Sequence, residues 1–494
     1  FFFQAEDGIR DSSTSRGLGD VYKRQALTNG TLRAMFRVNR LLVSTASGRI
    51  SDSAGTRSTS SKVRPSFANF SFSLGKENLD EAIENPTSDT FVTGALVVYR
   101  MRDDRNSMAD FHQNGTITTL HRLTGDHNLE ALSYVKQEKH GQAIALVLPC
   151  LVSECEGTAL PRIVDEISKL DWLGRIIVGI DGASAESFNS AREIFAKLPQ
   201  NKTIVWNDDP AMKAFDSTLG IGNISGKGSN LWRCIGVATN FQEISTLVFH
   251  DADVTTYDGS FVAKLAHPII DSRMGFNFVK GFYPRFDNNG FNGRLTRLLV
   301  NPLLESLSAA DPGNDQLRFL QAFRYPLAGE FAIERSLAAS LPMPVHWGVD
   351  IAMLSTMRTR GCRVAQTDLT DRYDHKHQSL STEDPNTGLH RMAREVISTI
   401  FDAAGGSTID PKVFKDNIDN AVIANRVNAI SNGLPSNSAQ EEAAAKLFAS
   451  LVQDPLPSLP TDLPSWEVIQ SEAPGSCADL LSLVEIQSIS EGRI

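Results

Sequence analysis

The chain has 494 residues, of which 41% are hydrophobic and 21% charged, as in ordinary globular proteins large enough for two or three domains. A net charge of −10 argues against a general nucleic-acid binder, although a local basic pocket can still hold a small anion. No apolar run approaches the roughly 18 residues that span a bilayer, and the first residues lack the pattern of a signal peptide. We therefore expect no membrane segment.

The cysteines are odd in number, scattered and without a CxxC spacing. This arrangement predicts neither a zinc site nor a disulfide framework, and a reducing cytoplasm is the simplest location for it. The five are Cys150, Cys155, Cys234, Cys362 and Cys477.

Residues 1–107 differ in character from the rest and are predicted to be a non-native or disordered extension. Residues 1–25 resemble translated sequencing-adapter read-through, and residues 43–65 are rich in Ser, Thr, Gly and Arg with little to bury. Regular patterning opens near Met108. An alternative is that residues 66–107, which include an apolar run at 95–99, form a genuine element.

From residue 141 the pattern alternates between short apolar runs and helical spacings. The predicted strands are 143–148, 175–180, 203–206 and 245–249, and the predicted helices are 157–170, 184–198 and 227–241. This alternation indicates an α/β fold of right-handed βαβ units, with a Rossmann-like, mostly parallel sheet covered by helices on both faces. Ligands of such sheets bind beyond the carboxyl ends of the strands, where Pro149, Asp181, Asn207 and Asp251 are expected.

Beyond residue 385 helical patterns dominate, at 389–401, 417–434 and 439–452, and a Pro-rich stretch follows at 454–464. We therefore predict three segments after the N-terminal extension. These are an α/β domain at 108–385, a C-terminal helical region at 386–453, and a Pro-rich strap and tail at 454–494.

The strand predicted at 245–249 leads into Asp251-Ala252-Asp253. Two carboxylates at a strand end suit Mg²⁺ or Mn²⁺, which in turn hold phosphate oxygens, although a solvated turn gives the same pattern. A phosphatase of the haloacid-dehalogenase type is an alternative, with Asp251 as nucleophile. Its distal acids would be Asp368, Asp371 or Asp374. That motif normally ends the first strand of its domain, whereas here three strand–helix units precede it.

Cations suited to an anionic ligand occur in two places. Gly226-Lys227-Gly228 precedes a helical pattern, where a helix N-terminus favours anions. Farther along, basic residues outnumber the single acid Asp287, and guanidinium groups bind phosphate and carboxylate in pairs, unless they only cover a solvated face. These residues are Lys280, Arg285, Arg294 and Arg297.

Two further candidates are a glutamate and a pair of histidines. Glu330 lies among small and apolar residues, as a buried ion-pair partner or an acceptor for a substrate hydroxyl. His375 and His377 would point to one side of an extended segment and could bind Mn²⁺ or Zn²⁺, or be surface residues.

Taken together, an ordered set of motifs over residues 141–400 resembles the glucosyl-3-phosphoglycerate synthase family. The set comprises Leu148-Pro149-Cys150-Leu151, Gly226-Lys227-Gly228-Ser229-Asn230-Leu231-Trp232-Arg233, Asp251-Ala252-Asp253, Val279-Lys280-Gly281-Phe282-Tyr283, Gly293-Arg294-Leu295-Thr296-Arg297, Asn301-Pro302-Leu303-Leu304, Pro326-Leu327-Ala328-Gly329-Glu330-Phe331 and Gly348-Val349-Asp350-Ile351. The resemblance implies a GT-A fold and a retaining glycosyltransferase, close to mannosylglycerate and mannosyl-3-phosphoglycerate synthases.

The resemblance also implies roles for matching residues. The nucleotide sugar would be bound by Pro149, Leu151, Glu154 or Glu156, Asp181, Lys227 and Asp251. The metal would be bound by Asp253 and His375, with Asp251 as a further candidate ligand. The acceptor would be bound by Lys280, Tyr283, Arg294 and Thr296. Glu330, near the anomeric carbon, and Asp253 are the catalytic candidates.

The implied reaction moves glucose or mannose from UDP-glucose, GDP-glucose or GDP-mannose to the 2-hydroxyl of 3-phosphoglycerate or a similar small anion. It would use Mg²⁺ or Mn²⁺, involve no nucleic acid and no membrane, and take place in a cytoplasmic protein that is a homodimer in one interpretation. The alternatives are a transferase with a polyprenyl phosphate or glycan acceptor, and an inactive sugar-nucleotide-binding module. Departures from the family pattern, such as Val152-Ser153-Glu154 and His377, leave the donor nucleotide open.

Overall fold

The computed structural model describes residues 117–123, 127–137, 140–222, 224–375 and 387–489. The predictions made for residues 1–107 and for His377 fall outside these ranges.

An eight-stranded sheet forms the centre of the described part of the chain, in the order β1-β10-β6-β9-β5-β2-β3-β4. All neighbouring strands in it are parallel except β9, which is antiparallel to both β5 and β6. A two-stranded hairpin, β7 and β8, lies outside it. The strands are β1 (Thr118–Leu120), β2 (Ile144–Leu151), β3 (Arg175–Asp181), β4 (Lys202–Trp206), β5 (Thr246–Phe249), β6 (Phe278–Phe282), β7 (Phe286–Asp287), β8 (Gly290–Phe291), β9 (Phe331–Glu334) and β10 (Val364–Asp368).

Helices connect most of the strands, and none of those described is long and apolar enough to cross a membrane. They are α1 (His127–Lys136), α2 (Ala159–Ser168), α3 (Ala185–Ala196), α4 (Pro210–Thr218), α5 (Lys227–Ala238), α6 (Ser260–Ile270), α7 (Asn301–Ala310), α8 (Asp315–Gln321), α9 (Arg335–Ala339), α10 (Val349–Thr359), α11 (Gly388–Ala403), α12 (Pro411–Ser431), α13 (Ser438–Leu451), α14 (Trp466–Glu472) and α15 (Ser476–Ile489). A π-helical turn, Thr296–Val300, precedes α7.

The predicted mostly parallel α/β fold is confirmed, and the predicted strands and helices between residues 143 and 249 are present. The end of β2 differs from the prediction of 148, since the strand continues past Pro149 to Leu151. Its neighbour β5 ends opposite Val147, so the missing N–H of Pro149 costs no ladder hydrogen bond on that side.

Alternation along the central strands divides the apolar core into two layers. In β2, Ala145 and Val147 face one layer, while Ile144, Leu146 and Leu148 face the other. A strand buried on both faces needs a continuous apolar run, which explains why β2 has no polar side chain.

The C-terminal helices pack into the first of these layers. Phe414, Phe448, Trp466 and Leu480 belong to the same buried cluster as Val147 of the sheet. The Pro-rich stretch before α14 is extended and is bound to the domain by a bridge between Met343 and Leu463. The predicted segment boundaries at 385 and 453 stay predictions, but residues on both sides of them share one hydrophobic core.

Candidate active site

The carboxyl edge of the sheet gathers the acidic residues of the Asp-x-Asp motif and Glu330. Asp251 follows β5 at the end where parallel strands present their loops. Because β9 runs antiparallel to β5, the residue before its first position lies at this same edge, and that residue is Glu330. The Asp251 backbone N–H donates to Glu330 Oε1 at 3.4 Å.

Glu330 is fully buried, and both of its carboxylate oxygens accept hydrogen bonds from tyrosines. The Tyr283 hydroxyl donates to Oε2 at 2.5 Å, and the Tyr373 hydroxyl donates to Oε1. The two tyrosine rings stack with their centroids 3.6 Å apart and their planes 6° from parallel. Burial and the nearby Asp251 charge raise the pKa of Glu330, whereas the two tyrosine donors oppose that rise. The stacked pair therefore fixes the orientation of the carboxylate.

Two lysines, the half-buried Lys227 and the buried Lys280, neutralise carboxylates beside this cluster. Lys227, at the start of α5, lies 3.2 Å from Asp251 Oδ1 and 3.8 Å from Asp350 Oδ2. Lys280 Nζ lies 2.8 Å from Asp350 Oδ1. Burial opposes the charge on Lys227, but Asp251 and Asp350 outweigh it and raise its pKa. Burial dominates at Lys280 and lowers its pKa.

Asp253 and His375 form the candidate metal pair. His375 Nδ1 lies 3.4 Å from Asp253 Oδ2, and a backbone bridge between Val254 and His375 holds the two segments together. Within the described ranges no three or more His, Cys, Asp or Glu side chains are grouped to hold a metal. One carboxylate and one imidazole do not make a zinc site, but they suit Mg²⁺ or Mn²⁺ completed by phosphate and water. Asp251 is instead engaged by Lys227.

Another part of this edge is formed by β2 and β3. Asp181 ends β3 and accepts from Asn207 Nδ2 at 2.9 Å and from Asn230 Nδ2 at 2.8 Å. Burial raises the pKa of Asp181, although both amides oppose the rise. Opposite Asp181 in the ladder is Leu151, an apolar side chain that is 54% exposed at the end of β2. Pro149 is half-buried and Glu154 buried nearby in sequence.

The predicted acceptor residues Arg294 and Thr296 lie at the start of the π-helical turn. Thr296 is buried, and Arg294 has no hydrogen-bond or ion-pair partner among the described residues. Burial and the neighbouring Arg297 lower the pKa of Arg294, and the Glu441 charge opposes that shift. Arg297 itself is occupied, since it bonds Glu441 Oε1 at 2.6 Å and the carbonyls of Phe291 and Asn292. Arg294 is thus the available guanidinium of the pair.

Gly329 brings the Glu330 segment against Asp251. A Cβ at Gly329 would lie 2.1 Å from Asp251 Oδ2, so Gly329→Ala must displace that carboxylate from Lys227. We expect the substitution to lower the free energy of unfolding by about 1–3 kcal/mol, as overpacking does, and to lower kcat as well. Thermal unfolding and initial rates check this. Gly222→Ala is the control, because no atom lies within 4 Å of its added methyl group, and equal behaviour of the two variants would contradict the prediction.

Comparison with known proteins identifies the family of the chain. Glucosyl-3-phosphoglycerate synthase of Persephonella marina is 34% identical over 301 residues, which cover 60% of this chain and 74% of the relative. The enzyme of the same name from Methanococcoides burtonii is 30% identical over 390 residues, which cover 74% of this chain and 95% of the relative. The chain belongs to the glucosyl-3-phosphoglycerate synthase family. It is therefore a glycosyltransferase, and the resemblance inferred from its motifs is confirmed.

The chain was also compared with family models and with solved structures. No family model matches the chain. Among solved structures, glucosyl-3-phosphoglycerate synthase of Mycobacterium tuberculosis in complex with Mn²⁺, UDP-glucose and phosphoglyceric acid has a TM-score of 0.43 and 26% identity, with 58% of this chain and 88% of that chain covered.

In this member of the synthase family, the structure brings together most of the candidate residues. Lys280, predicted to bind the acceptor, is only 1% exposed and is ion-paired with Asp350, which also lies near Lys227. Its assignment to the acceptor stays a prediction. Asp350 received no role from the sequence, although an acid in the first turn of α10 is favoured by the helix dipole. Tyr373 was also missed. Its place two residues before His375 in an extended segment was the available signal.

Proposed function

We propose that the chain transfers glucose from a nucleoside diphosphate glucose to the 2-hydroxyl of 3-phosphoglycerate, with retention of configuration and with Mg²⁺ or Mn²⁺. The observation that supports this most strongly is one edge of the sheet that joins a carboxylate–imidazole pair, the half-buried Lys227 and a fixed glutamate. The names of the curated relatives support glucose and 3-phosphoglycerate.

The donor diphosphate would lie between Lys227 and the pair Asp253–His375. When bound by that pair, a divalent metal neutralises charge on the departing diphosphate. Lys227 adds a fixed positive charge from the start of α5, which also favours phosphate. The nucleoside would extend toward Asp181 and Leu151 at the ends of β3 and β2. UDP-glucose is the first donor to test, with GDP-glucose and GDP-mannose as the alternatives.

The arrangement around Glu330 favours charge stabilisation over proton transfer. Both of its oxygens accept a tyrosine hydroxyl, and hydrogen bonds of this kind favour the ionised carboxylate over the protonated one. We infer that the carboxylate stabilises positive charge at the anomeric carbon, where a preorganised charge is effective in a buried site. The proton of the attacking hydroxyl then goes to an oxygen of the leaving phosphate, on the face from which the diphosphate departs.

Arg294 is expected to bind the phosphate or carboxylate of the acceptor. Arg294→Ala should raise the KM for 3-phosphoglycerate about 10- to 100-fold, because hydrogen bonds to charged groups contribute about 1.5–3 kcal/mol. The KM for the donor should stay close to its original value. Initial rates with each substrate varied in turn check this. Arg318→Ala, which removes an equal charge from an exposed pair with Asp315, is the control. An unchanged acceptor KM in Arg294→Ala would remove Arg294 from the site.

The proposed function is tested by product formation with the full chain, Mg²⁺ or Mn²⁺, and 3-phosphoglycerate. UDP-glucose, GDP-glucose and GDP-mannose are supplied in parallel. Metal-dependent formation of glucosyl-3-phosphoglycerate supports the proposal and names the nucleotide. Donor hydrolysis without that product would leave the transferase with another acceptor, such as a polyprenyl phosphate or glycan.

Location and assembly are separate proposals. All five cysteines are free thiols, which supports a reducing compartment such as the cytoplasm. The homodimer inferred from the resemblance is checked by the mass of the purified chain in light scattering.

A further inference from the structure

Helix α15, the last described helix, carries a side chain that pairs with the edge of the sheet. The Gln487 amide oxygen accepts from the Trp206 backbone N–H at 3.1 Å, and its nitrogen donates to the Trp206 carbonyl at 3.3 Å. The same nitrogen donates to Asp209 Oδ2 at 2.8 Å. Gln487 is only 6% exposed, and it lies 281 residues from Trp206 along the chain.

This pairing occurs where the sheet lacks a neighbouring strand. Trp206 ends β4, which is the last strand at this side of the sheet, and an edge strand leaves backbone donors and acceptors unpaired. A glutamine amide offers an acceptor and two donors, so Gln487 satisfies the Trp206 peptide groups as another strand would.

The segment that Gln487 binds is joined directly to Asp181. Asn207, the next residue after Trp206, donates to Asp181 Oδ1 at 2.9 Å. The Trp206 indole N–H donates to the Ala183 carbonyl at 2.9 Å, and the Ala183 N–H donates to Asp208 Oδ2 at 3.0 Å. The loops after β3 and β4 are therefore hydrogen-bonded to each other, and the segment at the end of β4 is also hydrogen-bonded to Gln487.

Helix α15 does not depend on Gln487 for its attachment. Its residues Leu480 and Val484 are fully buried in the shared core. Asn240 Nδ2 donates to the Cys477 carbonyl at 2.8 Å near the start of the helix. Loss of the Gln487 amide should thus free the end of β4 while the helix remains in place.

We propose that Gln487 is a positioning residue for donor recognition, which fixes the 206–209 segment and through it the Asp181 end of the nucleotide site. This inference rests on the proposed function, because it takes the base of a nucleoside diphosphate to lie beyond β2 and β3. The sugar and the acceptor lie toward Glu330 and Arg294. The C-terminal helix consequently affects nucleotide affinity and nucleotide preference more than turnover.

The test measures binding of UDP and GDP by calorimetry, together with kcat and both KM values, in the full chain. In Gln487→Ala, which removes all three hydrogen bonds of the amide, the Kd of the nucleotide that the wild type prefers should rise about 10-fold, because the 206–209 segment beside Asp181 is no longer held. The preference between UDP and GDP should narrow, and kcat at saturating donor should be close to that of the wild type. Gln487→Glu keeps the size of the side chain, but its carboxylate cannot donate a hydrogen bond and repels Asp209. The nucleotide Kd of this variant should therefore also rise.

Val484→Ala is the matched control, since it removes buried packing from the same helix and keeps the Gln487 amide. It should lower the melting temperature and leave the nucleotide Kd unchanged. An unchanged Kd in Gln487→Ala, or an equal rise in Val484→Ala, would overturn the positioning role. A wild type that binds a nucleotide without forming product would contradict the proposed acceptor, while the Kd ratios still decide the role of Gln487. Binding of neither nucleotide would overturn both.

Discussion

Replacing Glu330 with glutamine is expected to lower kcat about 100- to 1,000-fold, the range found when one preorganised electrostatic group is removed. The amide keeps the size of the side chain but removes the charge, and its NH₂ group faces a tyrosine hydroxyl that now donates to an oxygen. Donor binding should remain largely intact, because Lys227 and Asp253 are unchanged. Initial rates at saturating substrates and calorimetric binding of the nucleoside diphosphate measure the two effects.

Glu334→Gln is the matched control for this prediction. Glu334 ends the same strand at the opposite edge of the sheet, where its carboxylate accepts from Asn277 Nδ2 at 3.1 Å. We expect its kcat to be close to that of the original chain. If Glu330→Gln weakened donor binding as much as it weakened turnover, Glu330 would be a donor-binding group and its role at the anomeric carbon would be wrong.

Replacing Asp253 with asparagine is expected to have the other large effect, a loss of kcat of about 1,000-fold at ordinary metal concentrations. A bound metal contributes several kcal/mol of charge stabilisation, and each 1.4 kcal/mol or so corresponds to a tenfold rate. The candidate metal pair consists of Asp253 and His375, and the other carboxylate of the motif, Asp251, is already ion-paired with Lys227, so we expect it not to replace the lost ligand. In this variant, the Mn²⁺ concentration that gives half-maximal activity should be higher than in the original chain.

Asp258→Asn provides the control, because it removes the same charge from an exposed residue that only accepts from the Ser260 N–H before α6. Asparagine serves that capping role equally well. An Asp253→Asn variant with an unaltered metal requirement would show that the metal is held elsewhere.

Much of the fold was predictable because periodicity is a local property. The alternation of apolar runs with helical spacings between residues 143 and 249 located the strands, and with them the common edge of Asp181 and Asp251, although β2 ends three residues later than predicted. The cationic character of Arg294 was equally visible from composition around residue 294.

Other parts of the site depend on the direction of one strand. The pattern around Glu330 does not reveal that β9 is antiparallel, and only that direction brings Glu330 to the edge where Asp251 lies. Strand direction depends on long-range pairing and is not written in the local sequence.

The sequence by itself determined the fold class and the family, and it named the residues proposed to bind phosphate and metal, because these follow from short-range patterns and ordered motifs. Tertiary structure alone decided which charges are already paired and which remain available. It paired Lys280 with Asp350, left Arg294 without a partner among the described residues, and set Gln487 against Trp206 across 281 residues. The physical reason is that desolvation penalises a buried charge or peptide group until a partner meets it, and that partner can come from anywhere in the chain.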